Sequence, residues 1–115
     1  MNNTVFLTAA PSRGITRACS GILESVHTKP YTDYVDTASL LVGANFAVDE
    51  ESEGRRRDLV QAIKLNLIDR KEYPFSLLQR KFNLPIGIRA FLEEKRRFVH
   101  ILAHLCGFTP QRTAT

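Results

Sequence analysis

The side chains of this sequence best suited to chemistry are its arginines and lysines. Arg55, Arg56 and Arg57 form an unbroken run, Arg80 and Lys81 form a pair, and Arg89 follows shortly after. A guanidinium offers a planar fork of N–H donors, which matches phosphate oxygens and the major-groove edge of guanine. Several such groups together bind polyanions, with an affinity that falls steeply as salt rises.

Other combinations offer less. His100 and His104 lie one helical turn apart, a spacing that chelates a metal when a third ligand joins. No glutamate follows His100 as H-E-x-x-H requires, and Cys106 points elsewhere on the same helix. The pair reads as surface or partly buried histidine, and no metal is expected. Cys19 has no histidine at a spacing that suggests a nucleophilic pair. There is no Gly-rich phosphate loop and no G-x-S-x-G elbow. Glu50 and Glu51 belong to a charged cluster, which water ordinarily solvates. The sequence points away from an enzyme and calls for no cofactor.

Something must hold the basic groups in place. The chain of 115 residues is 43% hydrophobic, enough for one globular domain with a core of its own. Its formal charge of +4 conceals a division. Residues 1–53 hold three basic and seven acidic side chains, a balance of −4, whereas residues 54–115 hold 13 and five, a balance of +8. A basic half is a hint of a binding surface for nucleic acid, although two halves of one solvated domain would attract each other equally well. No apolar run approaches the ~20 residues that span a bilayer, so no membrane partner is expected. The first residues lack the charged region of a signal peptide, and two cysteines make no disulfide framework, which together suggest the cytoplasm.

Apolar spacing predicts an all-α fold of four or five helices with a long C-terminal helix. Residues 1–13 read as a flexible arm or a short strand, with Thr4 to Thr8 the strand-like stretch. Residues 14–53 read as a helical support region. Its first helix carries Ile15, Ala18, Cys19, Ile22 and Val26 and ends before Pro30. A second helix is predicted over residues 34–46, capped by Asp33 or Asp36 and broadened on its buried side by Leu40. The acidic stretch that follows is a loop or the first turn of the next helix. A third helix is predicted over residues 55–68, with Leu59, Val60, Ile63 and Leu67 inward. A short fourth helix begins at Pro74 or Ser76 and ends at Asn83. A fifth runs from Pro85 to Cys106, about 20 residues and roughly 30 Å long, and stops at Gly107. Residues 108–115 read as a tail.

Within the basic region, 54–107, one stretch follows a recognisable pattern. Leu78 is apolar early in the short helix, Phe82 closes it, Asn83 tolerates a left-handed turn, and Leu84 supplies an apolar plug before the next helix. The outline, residues 55–106 at its widest, resembles a trihelical helix-turn-helix DNA-binding domain. Gln79 stands where that family prefers a small residue, Pro85 where it often has a Ser or Thr cap, and the next apolar anchor falls one position off.

The resemblance implies that the fifth helix is a recognition helix whose solvent side begins with Ile86, Gly87, Arg89 and Ala90. Arg89 would read guanine or hold a phosphate. Arg80 and Lys81 would face the backbone, and Arg55, Arg56 and Arg57 would add phosphate contacts. Glu93 and Glu94 would limit insertion, or instead pair with Arg89, Arg97 or neighbouring basic residues at helical spacing. The implied partner is double-stranded DNA and the implied role is transcription regulation. The competing expectation is a small interaction protein, an adaptor or an inhibitor from a phage or mobile element. It would bind a protein partner or form a homodimer through the fifth helix.

Overall fold

The computed structural model describes residues 12–25, 27–42 and 50–107. They form an all-α arrangement: α1 (Arg13–Ser25), α2 (Tyr31–Leu41), α3 (Glu50–Ile68), α4 (Phe75–Phe82) and α5 (Ile88–Cys106). The expected strand at residues 4–8 and the tail lie outside the described residues.

Ser12 starts α1, its hydroxyl accepting a hydrogen bond from the Ile15 amide at 3.2 Å. Cys19 and Ile22 are buried on the inner face of α1, with Ile15 and Leu23 half-buried beside the core. α2 departs from expectation at both ends. It begins at Tyr31, directly after Pro30, whose fixed φ suits a helix entry. Asp33 falls in the first turn, where the helix dipole favours an acid, and no side chain caps the helix. The helix stops at Leu41, and Val42 is extended, with φ −77° and ψ 131°. Residues 43–46 of the expected helix lie outside the described residues. α2 buries Ala38 and Val42, while Leu40 faces solvent at 66% exposure, so Leu40 does not widen the buried side.

Of the acidic stretch, Glu50, Glu51 and Glu53 belong to α3, which starts at Glu50 and carries Gly54 inside it, while Asp49 lies outside the described residues. Acids suit the positive end of the dipole. Two pairs one turn apart add support, Glu51 with Arg55 at 2.7 Å and Glu53 with Arg57 at 3.4 Å. At the far end of the chain, Gly107 ends α5 in the left-handed region at φ 83°, as its sequence position suggests.

α5 is the central element and packs on α1, α2 and α3, while α3 also packs on α1 and α4. Phe91, Phe98, Val99 and Leu102 from α5 meet Leu59, Ile63 and Leu67 from α3, with Cys19, Ala38, Val42, Leu78 and Leu84 completing the core. Among the described residues no helix is long and apolar enough to cross a membrane.

Candidate nucleic-acid interface

α4 is fixed from within and from α5. Leu78 is fully buried, and the Phe75 and Phe91 rings lie 5.0 Å apart between centroids. Asn83 takes the left-handed conformation, φ 53° and ψ 51°, and its amide donates to Gln79 O. The Leu84 amide donates to the same carbonyl at 3.0 Å, and the Leu84 side chain is buried. A permissive backbone residue followed by a buried anchor is the arrangement read from the sequence at these two positions.

The connection itself is longer than expected. It runs from Asn83 to Gly87, and α5 starts at Ile88 rather than Pro85. Gln79 explains why. Its Nε2 donates to Ile86 O at 3.0 Å, tying α4 to the turn instead of crowding it. Ile86 is half-buried and packs against the core, so it lies on the inner side of the turn and not on the solvent side of α5. Gly87, at φ −85° and ψ 178°, is the extended residue from which α5 begins.

The candidate basic residues divide into three groups. Arg80, Lys81 and Arg89 are exposed, as is Gly87, while Ala90 is half-buried. Lys81 Nζ sits 5.8 Å from the centroid of the Phe82 ring, a weak cation–π contact that leaves its charge in water. Ile88 and Leu92 are exposed one turn apart, so the first turns of α5 present a mixed apolar and basic face.

Arg55 and Arg57 form a second group, exposed but engaged by Glu51 and Glu53. A phosphate would have to compete with those carboxylates. Arg55 also lines a pocket of about 320 Å³ together with Pro85 and Ile86, which brings it beside the turn.

Arg56 stands alone. Expected among the phosphate contacts, it is 6% exposed and turned inward. Its Nη1 donates to Ser39 O and to Val42 O, the latter at 3.2 Å. Its Nε and Nη2 donate to the Glu53 carboxylate at 2.9 and 2.8 Å. Those hydrogen bonds hold the Glu53 carboxyl below the usual carboxylate range and push the Arg56 guanidinium up. The last carbonyls of a helix have no partner within it, and Arg56 supplies one for α2 from α3. Arg56 is therefore a structural clamp, unavailable to a nucleic acid.

A basic groove lies elsewhere, between α1, the end of α3 and α5. It has a volume of about 790 Å³ and is lined by Arg13, Arg17, Arg70, Lys95 and Arg96, and also by Leu92. Lys95 Nζ donates to Asn66 Oδ1 at 2.6 Å, and Asn66 Nδ2 donates to Tyr73 O at 2.8 Å. Ser20 Oγ donates to Leu67 O at 2.6 Å and joins α1 to α3. Burial, with the nearby Arg70 charge, holds the Lys95 ammonium below the usual lysine range. Sequence reading missed this site because its residues come from both halves of the charge division. The available signal was Arg13 and Arg17 at a spacing of four on one helix.

Glu94 is buried and pairs with Arg97 at 3.3 Å, one of the pairings expected from spacing. His100 is buried and His104 exposed, and no group of three potential metal ligands occurs among the described residues. Cys19 is buried, and its thiol contacts Val99 O at 3.7 Å. Burial, with Cys106 nearby, pushes the Cys19 thiol up to about 12. Comparison with known protein families, curated proteins and solved structures found no match.

Proposed function

We propose that this chain is a small, non-enzymatic DNA-binding regulator that docks the first turns of α5 on a duplex in the manner of a helix-turn-helix protein. The observation that carries the reading is the exposure of Arg89 at the start of α5, together with that of Arg80 and Lys81 at the end of α4. Gln79 and Leu84 hold the turn that relates these two helix ends. A helix with its side chains is about 10–12 Å across and fits the major groove, about 12 Å wide. Arg89 is the base-reading or phosphate-holding group, and Arg80 and Lys81 are backbone contacts. Gly87 and Ala90 allow close approach, with Arg55 contributing from beside the turn. The five-residue connection is longer than the 3–4 residues usual between such helices, so α5 would meet the groove at its own angle.

The test is a fluorescence-anisotropy titration with a random-sequence duplex at several salt concentrations. Arg80→Ala with Lys81→Ala should weaken binding and lower the magnitude of the log–log salt slope by about 1.8, or ~0.9 per lost phosphate contact. Circular dichroism should show an intact helical fold in the variant. Absence of duplex binding by the unmodified chain at low salt would refute the reading.

A further inference from the structure

We infer that the groove between α1, the end of α3 and α5 is a phosphate-binding site that grips the DNA backbone beside α5. This inference rests on the duplex-binding reading and extends it to residues outside the α4–α5 unit.

Charge is the first argument. Among the described residues, five basic side chains line the groove and no carboxylate lines it with them. Arg13, Arg17 and Arg70 form no ion pair or hydrogen bond with another described residue through their side chains. Contrast Arg55, Arg56 and Arg57, each of which already faces an acid. Arg13 and Arg17 are one turn apart on α1, where like charges repel. Lys95 feels Arg70 in addition to its own burial, which is why its ammonium is disfavoured. A bound polyanion would remove these repulsions.

Preorganisation is the second argument. Ser20 and Leu67 pin α1 to α3, the Cys19 thiol reaches Val99 of α5, and Asn66 holds the Lys95 ammonium in place. Asn66 is itself 4% exposed, with both ends of its amide engaged. The cations are therefore held on three helices tied to one another, which lowers the ordering needed to bind.

Continuity is the third argument, and it identifies the occupant. Arg89, Leu92 and Arg96 recur at intervals of three and four, so they share one side of α5. That side runs from the exposed first turn of α5 to the groove, whose lining includes Leu92 and Arg96. A ligand running along it must be elongated and anionic over its length. A nucleic-acid backbone meets both conditions and takes bidentate contacts from arginine.

The experiment compares three proteins, each checked for folding by circular dichroism. They are the unmodified chain, Arg17→Ala with Arg70→Ala, and Arg80→Ala with Lys81→Ala. Duplex binding is measured across a salt series, and acetylation of Lys95 is followed by mass spectrometry with and without duplex. Support consists of a salt slope smaller by about 1.8 in the Arg17/Arg70 variant, together with protection of Lys95 by duplex. An unmodified slope in that variant, with Lys95 still open to acetylation, overturns the groove while the α4–α5 reading stands. A reduced slope in the Arg17/Arg70 variant alone supports the groove and removes Arg80 and Lys81 from the interface. No duplex binding by the unmodified chain overturns both. Displacement of duplex by poly-glutamate at equal charge concentration overturns the nucleic-acid assignment in favour of an acidic protein.

Discussion

Replacing Arg56 by alanine should be among the most damaging single changes in this protein. The side chain is almost wholly buried and engages Ser39 O, Val42 O and the Glu53 carboxylate. Truncation leaves two carbonyls at the end of α2 without their donor, at ~1–3 kcal/mol each when water cannot replace it. Breaking a buried charge pair is typically worth ~3–5 kcal/mol. Glu53 remains about one-third exposed and keeps Arg57, so the carbonyls dominate, and a loss near ~3 kcal/mol is expected. A small domain is stable by only ~5–15 kcal/mol, so Tm should drop by roughly 15 °C. Urea unfolding followed by circular dichroism is the assay, with Arg55→Ala as the control, expected within ~0.5 kcal/mol because its ion pair is exposed. Arg56→Lys should fall between, since an ammonium lacks the fork that reaches both helices. The pH dependence has a definite sign. The Glu53 pKa is lowered on folding, so its contribution is complete above the ordinary value of 4.5 and disappears as pH falls through the lowered value. Stability of the parent protein should therefore fall more steeply in acid than that of Arg56→Ala. A loss under about 1 kcal/mol, at unchanged denaturant dependence, would refute the clamp.

Two further outcomes follow from the packing. Gly54 lies inside α3 with nothing within 4 Å of where a Cβ would stand, so Gly54→Ala should stabilise by about 1 kcal/mol, seen as a higher urea midpoint. Cys19, with its thiol pushed up to about 12, should resist iodoacetamide at pH 8 in the folded protein and react in urea, as read by mass spectrometry. Rapid native labelling of Cys19 would contradict its burial against Val99.

The parts of this fold that can be read from sequence are those fixed by neighbours a few residues apart. Asn83 and Leu84 specify a left-handed turn and its plug locally, and Gly107 specifies the end of α5 in the same way. The stripe Leu59, Ile63, Leu67 identifies the inner face of α3. The same stripe extended back by three and then four residues reaches Arg56 and Ser52, both buried. That spacing was the signal for the clamp, obscured by a run of three arginines that looked alike. The start of α2 was not legible because a proline that forbids helix at the residue before it also suits the entry to a helix, and Pro30 is used in that second way. The groove was least legible. Arg13 and Arg17 were counted in the acidic half, and only the packing of α1 on α3 and α5 brings them to Arg70 and Lys95. Charge summed along a chain contains no information about which surfaces meet.

The Arg56 clamp also separates two tasks that one segment usually performs. Helix ends are commonly secured by the residues immediately downstream, so that altering the connection frays the helix. Here the carbonyls of Ser39 and Val42 are secured from α3, by a side chain 14 positions beyond Val42. Because the acceptors are main-chain oxygens, this tie between α2 and α3 holds whichever side chains stand at positions 39 and 42.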